Sequence, residues 1–208
     1  MKSCSIKKCE KRIHAKGMCA RHYYQILRKG KISGSSSRTR YDLNKLTTEG
    51  DICIIEVYDN QGYVKAEAII DRENLEKVKG IKWSQLKNGA ISNKKFGYLH
   101  RRIMGYPKKF VDHKDRNRLN NRTSNLRLCT NAENVRNSGC RANNTSGYKG
   151  VSWVSKIEKW ASYITFNYNR INIGYFDSKI DAAKAYDKMA KELHCDYACI
   201  NFGERYAS

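Results

Sequence analysis

From residue 52 the chain becomes strand-like. Ile52 to Tyr58 is an apolar run, a polar turn follows at Asp59-Asn60-Gln61-Gly62, and Val64, Ala66, Ala68 and Ile70 then alternate with polar neighbours. A period of two marks a strand with one buried face, so this stretch predicts a hairpin. Asp71 is placed to cap a short helix ending at Gly80, and Trp83 and Leu86 precede a turn at Asn88-Gly89. Residues 110–113 predict another strand, 114–122 a basic loop and 125–129 the returning strand. Thr130 then opens a helix, with Glu133 three positions on to complete a reciprocal capping box. Beyond the polar loop 138–146, three short strands precede one amphipathic helix. Ser178 and Asp181 predict a capping box there too, and Ala183, Tyr186, Ala190 and Leu193 recur at helical spacing. That helix should cover the back of the three-stranded sheet and leave the other face free.

The fold class expected is α+β, divided into small modules: 1–32, a basic linker at 33–48, 49–140 and 141–208. The linker reading rests on the Ser- and Gly-rich run KISGSSSRTR, residues 31–40, which has no apolar period. Arg38 and Arg40 within it can still touch phosphates. The nearly neutral stretch 51–100 reads as a support behind the second hairpin.

Charge changes the picture. The chain carries 41 Lys and Arg against 20 Asp and Glu, a formal +21 over 208 residues. That is more than solubility asks for and points to a polyanionic partner. The excess gathers in residues 1–50, with 13 basic and 3 acidic residues, and in 101–140, with 10 and 3. The basic residues lack the apolar helical face that membrane-surface binding needs, and no stretch approaches a membrane span or the apolar core of a signal peptide. An intracellular protein is expected, in the cytoplasm of a bacterial host if a phage encodes it. Its eight cysteines are then metal ligands or small buried groups rather than disulfides.

Cys4, Cys9, Cys19 and His22 form C-x4-C-x9-C-x2-H in a segment too short and too charged for a core of its own. Three sulfurs and a nitrogen make a tetrahedral Zn²⁺ set, and the metal would supply the missing folding energy. His14 is the alternative nitrogen. Gly17 permits a tight approach before Cys19, and His22 should lie in the first turn of a helix that stops at Gly30. Cys195 and Cys199 have no partner ligand nearby and read as buried thiols.

Residues 110–137 carry the candidate chemistry. Asp112 and Asn134 offer hard oxygen ligands for one Mg²⁺ or Mn²⁺. Adjacent strand residues point to opposite faces, so His113 is left to take a proton from water, and Asn125 is placed to brace the loop. His100, in GYLHRRIM, either positions a phosphate with Arg101 and Arg102 or packs beside the site. Lys114, Arg116, Arg118 and Arg122 make the loop basic.

The run "VDH", "NLR", "T", "EN" and the final "N" resembles the HNH, or ββα-metal, nucleases, in particular their homing-endonuclease branch from phages and group I introns. The resemblance implies one divalent metal on Asp112 and Asn134, His113 as general base and Asn125 orienting the hairpin. The motif's third letter is here Asn134 rather than His, which leaves one charged ligand. Phage proteins of this type often carry a leading segment like 1–32.

A second resemblance covers about sixty carboxyl-terminal residues, where "YKGV", "KWASYI", "IGYF", "AAKAYD" and "NF" are similar to the Apetala-two/ethylene-response-factor DNA-binding domain. In that family the free sheet face enters the major groove, which implies Lys149, Ser152, Trp153, Lys159, Thr165, Arg170 and Asn172 as contacts. The family's arginine-rich first strand is reduced here to Lys149 and Ser152, and a base-reading Trp becomes Asn172, so sequence preference does not carry over. For at least one of Trp153 and Trp160, core packing is the expected role.

The readings converge on a monomeric endonuclease acting on double-stranded DNA, with no small-molecule substrate. The alternative is a non-catalytic DNA-binding regulator that keeps the fold alone. RNA processing is a remote third.

Overall fold

The structure is a computed structural model that describes residues 3–6, 9, 11–30, 42–60, 62–140 and 143–203. Residues 31–40, read above as a tether, lie outside the described part. The fold is mixed α and β, with four small antiparallel sheets among the described residues. The chain divides into two compact units, Met1–Ile103 with Arg118–Asn121, and Met104–Asn117 with Arg122–Ser208.

The first unit opens on two short bridges, Ser3 with Arg12 and Ala15 with Met18, followed by α1 (Ala20–Lys29), which stops at Gly30 in the left-handed conformation. Its main sheet is β1 (Leu46–Glu49), β2 (Ile52–Tyr58) and β3 (Val64–Asp71), in that order. Leu46 to Thr48 had read as the end of the linker, but with Glu49 they pair with β2, from Leu46 opposite Ile55 to Glu49 opposite Ile52. Cys53, Ile55 and Val57 alternate into the core with Ala68 and Ile70 from β3, the period-two pattern realised. The helix expected to reach Gly80 is shorter: a 3-10 turn at Arg72–Asn74, then α2 (Leu75–Val78).

Trp83 is 1% exposed. Its amide donates to Asn44 Oδ1 at 2.6 Å and its indole N–H to the Val78 carbonyl at 3.2 Å, so burying the ring leaves neither donor unpaired. A small sheet follows, β4 (Ser84–Gln85), β5 (Ile91–Asn93) and β6 (Gly97–Tyr98), running into α3 (Leu99–Ile103). Residues 118–121 join this unit through β3: Ile69 donates to Leu119 O at 2.8 Å and Asn121 to Ile69 O at 2.7 Å.

The second unit holds the hairpin β7 (Phe110–His113) and β8 (Leu126–Cys129), then α4 (Asn131–Asn137). The sheet β9 (Val151–Val154), β10 (Lys159–Phe166) and β11 (Asn169–Phe176) and the helix α5 (Lys179–His194) complete it. Val151, Trp160 and Phe176 pack on Ala182 and Ala183, and Ile164 packs on Tyr186 and Ala190, so α5 covers one sheet face as expected. Ser178 caps α5 through the Ile180 amide at 3.2 Å, but the expected box with Asp181 does not form, and Asp181 pairs with Lys184 instead. Buried Asp187 accepts from the amides of Asn201 and Phe202, both at 2.7 Å. Asn201 in turn accepts from the Lys149 amide at 2.7 Å, so the segment after α5 is stitched to the entrance of β9. Cys199 is buried but Cys195, expected to be buried too, is exposed. It ends α5 at φ 47.

Candidate active site and metal centre

Both ends of the β7–β8 hairpin are fixed by hydrogen bonding. Asp112 stands opposite Arg127 in the ladder, and His113 opposite Leu126. Only 8% of Asp112 and 6% of His113 is exposed. Below them Asn125 spans the neck of the loop: its Nδ2 donates to Asp115 Oδ1 at 2.9 Å, its Oδ1 accepts from the Asp115 amide at 3.1 Å, and its carbonyl accepts from the Lys114 amide at 2.9 Å.

α4 is oriented by the capping box that the sequence predicts. The Thr130 hydroxyl accepts from the Glu133 amide and Glu133 accepts from the Thr130 amide at 2.7 Å. The Thr130 amide and the Thr130 hydroxyl, the latter at 2.9 Å, both donate to the Glu133 carboxylate and hold it below its ordinary range. Asn134 falls at the end of the first turn, its amide bonded to Thr130 O at 3.1 Å.

One turn later on the same helix face, Asn137 reaches the carboxylate. Its Nδ2 lies 3.1 Å from Asp112 Oδ1, 2.9 Å from Oδ2 and 2.9 Å from the His113 carbonyl oxygen. Arg127 donates from Nε at 3.0 Å and Nη2 at 2.9 Å, both to Oδ2. Arg127 and Asn137 both fall within the motif quoted above, as the last letter of NLR and the final N, but neither was given a role. Counting the antiparallel register back from His113 would have put Arg127 across from Asp112, and stepping three residues from Asn134 would have found Asn137.

The donors suit a hard cation. Asp112 offers a carboxylate, and the side-chain amide hydrogen-bonded to it is that of Asn137 rather than the expected Asn134; carboxylate and amide oxygens are the donors that Mg²⁺ or Mn²⁺ take.

The remaining candidates distribute as follows. Lys114 donates to Ser124 O at 2.7 Å, and Arg116, at φ 63, donates to Cys199 Sγ at 2.7 Å. Arg122 accepts through its carbonyl from the Asn125 amide. His100, Arg101, Arg102 and Arg118 belong to the first unit. There His100 stacks on Tyr98 with centroids 5.3 Å apart, Arg102 lies over Phe96 at 4.4 Å, and Arg118 donates to Asn88 O at 2.8 Å.

On the carboxyl-terminal sheet, Ser152, Lys159, Thr165, Arg170 and Asn172 share the face turned away from α5, by strand alternation from Val151, Trp160 and Ile164. Arg170 lies 3.7 Å over the Tyr163 ring on that face. Trp153 pairs with Trp160 on the helix side, their centroids 5.1 Å apart. Lys149 turns inward, donating to Arg136 O and Ser138 O at 2.6 Å each, and burial pulls its ammonium below the ordinary lysine range.

A separate centre lies in the first unit. The ligand atoms of Cys4, Cys9, Cys19 and His22 all fall within 4.8 Å of one another. His22 Nδ1 is 3.2 Å from Cys4 Sγ and 3.5 Å from Cys19 Sγ, and the Cys9 and Cys19 sulfurs are 3.9 Å apart. Tetrahedral metal with ~2.3 Å bonds to sulfur sets sulfur-to-sulfur edges near ~3.8 Å, so the set fits. Burial resists ionisation of Cys4, yet the His22 hydrogen bond and backbone contacts at Cys19 and Ile6 bring its thiol down to about 6, toward the thiolate that binds metal. His14 stands apart, 5.7 Å from Tyr23 and 5.8 Å from Tyr24 between ring centroids.

Comparison with known proteins agrees with the hairpin geometry. Residues 97–136 match the HNH endonuclease family. The chain is 36% identical over 89 residues to Protein 3.8 of Escherichia phage T7, covering 43% of this chain and 73% of that protein. It is also 36% identical over 92 residues to an uncharacterized HNH endonuclease of Acanthamoeba polyphaga mimivirus, covering 44% of this chain and 46% of that one. With Asp112 and His113 closing a β hairpin against a capped helix, the chain belongs with these viral relatives and carries a domain of the HNH endonuclease family.

Proposed function

We propose that the protein is a homing-type endonuclease that hydrolyses phosphodiester bonds in double-stranded DNA with one divalent cation. The carrying observation is the consecutive placement of Asp112 and His113 at the end of β7, with the Asn125 brace below and α4 beside them. Asp112 and Asn134 would hold Mg²⁺ or Mn²⁺, with Asn137 within reach of the same carboxylate. When bound, the cation supplies Lewis acidity and charge neutralisation at the departing oxygen. His113 takes the proton of the attacking water, the new bond forms at phosphorus as the bond to the 3′ oxygen breaks, and the departing alkoxide takes a proton from solvent, leaving 5′-phosphate and 3′-hydroxyl ends.

Asn125 keeps the basic loop folded so that Lys114, Arg116 and Arg122 stay near the backbone being cut. In the first unit, His100, Arg101, Arg102 and Arg118 are further groups that would meet phosphates. The free sheet face, with Ser152, Lys159, Thr165, Arg170 and Asn172, holds the duplex, in keeping with the Apetala-two-like sequence pattern. The Cys4, Cys9, Cys19 and His22 set holds structural Zn²⁺.

Incubating plasmid with the full chain and Mg²⁺ or Mn²⁺ tests the proposal. His113→Ala should slow cleavage by ~10²-fold or more, the span typical of a lost general base, while binding in EDTA persists. Equal cleavage by wild type and variant rules the site out. Tight binding of a duplex that stays intact in either metal would leave the regulator reading.

A further inference from the structure

Arg127 is held from two directions. Toward the hairpin, its Nε and Nη2 both donate to Asp112 Oδ2. Toward the segment after α5, its Nη1 donates to Asp196 O at 2.6 Å and its guanidinium carbon lies 3.9 Å over the Tyr197 ring. Tyr197 is itself tied to β8, its hydroxyl donating to Leu128 O at 3.2 Å. Asp196 and Tyr197 form a 3-10 turn with Cys195, and every one of these groups lies in the second unit.

The two oxygens of Asp112 are not equivalent. Oδ2 accepts from Arg127 twice and from Asn137 at 2.9 Å, whereas Oδ1 accepts a single longer bond, 3.1 Å, from Asn137. One oxygen is saturated by fixed donors and the other keeps lone-pair capacity. That is how an outer residue orients a ligating carboxylate.

We infer that Arg127, clamped by the Asp196 carbonyl and the Tyr197 ring, is a positioning residue that presents Asp112 Oδ1 to the divalent cation. The segment after α5 thereby takes part in metal binding. The inference rests on the nuclease reading and refines it. Side chains 12% and 9% exposed for Arg127 and Asp112 keep water from loosening the fork, and the aromatic face fixes the guanidinium plane where a lysine would supply only a point charge.

The test measures Mn²⁺ binding by the zinc-loaded full chain without DNA, using calorimetry or the Mn²⁺ electron spin resonance signal, with circular dichroism to verify folding. Tyr197→Leu and Arg127→Lys should each weaken Mn²⁺ binding by ~10- to 100-fold, the range for lost outer contacts. Tyr197→Phe, which keeps the ring and drops only the hydroxyl, should bind like wild type. In cleavage, kcat should fall in the first two variants while KM for duplex stays put. Unchanged or tighter Mn²⁺ binding in folded Tyr197→Leu and Arg127→Lys overturns the inference, the second result making Arg127 a competitor of the metal. Asp112→Ala separates the two levels: if it too binds Mn²⁺ like wild type, the nuclease reading itself has lost its ligand.

Discussion

Asn137 shows how far single residues can be read. The motif spacing drew attention to Asn134, yet the amide bonded to Asp112 is one turn further on, at the motif's final Asn, to which no role had been given. Arg127 was hidden for a different reason: its meaning depends on strand register, which the sequence fixes only once both ends of the hairpin are known. Tyr168 is legible in neither way. It sits 97% exposed at φ 66, beside Asn167 at φ 48, in the two-residue turn between β10 and β11. Both central residues are left-handed, the turn type in which glycine is normally found at the second position. An exposed tyrosine gains no packing to offset that strain. Tyr168→Gly should therefore stabilise the protein by about 0.5–1 kcal/mol, read as a rise in Tm. A fall would mean that the ring makes a contact worth more than the strain.

Elements were more legible than the contacts between them. The alternation in β2 and β3, the capping box at Thr130 and the amphipathic spacing of α5 follow from local physics, and each appears where the pattern puts it. The box at Ser178 failed because Asp181 is exposed and finds Lys184, so nothing compels it to reach back. β1 was lost to a composition argument: its polar residues make no apolar period, and only pairing with β2 defines it. Gly150 illustrates packing that a motif records without explaining. At φ 75, a Cβ there would stand 2.0 Å from the Tyr186 ring and 2.6 Å from Tyr163 O. Gly150→Ala should cost about 2–4 kcal/mol through overpacking and backbone strain, measured by urea unfolding. An alanine variant of wild-type stability would show that β9 can shift away from α5.

At the scale of the whole molecule, the features that stand out are the charge and the amino-terminal Cys/His cluster. The excess of 41 basic over 20 acidic residues pointed to a polyanionic partner without any motif, because composition needs no fold to be read. The amino-terminal centre was equally visible, since four ligands within 22 residues leave few alternatives. α1 has ten residues, too few to stand as an isolated helix in water. Stripping metal with a strong chelator should therefore abolish amide-exchange protection across residues 20–29, and restoring Zn²⁺ should return it. Unaltered protection would mean that packing alone folds this segment.

The assignment of Arg118–Asn121 to the first unit and of the residues on both sides to the second bears on dissection of the protein. Between Ile103 and Arg122 the polypeptide changes allegiance three times, so no single scission can separate the two bodies. A fragment beginning at Met104 would carry the 118–121 stretch away from its β3 partner, and one ending at Ile103 would leave β3 without the backbone groups that Ile69 engages. Experiments that split the protein for study in halves would thus disturb the very hairpin they aim to isolate.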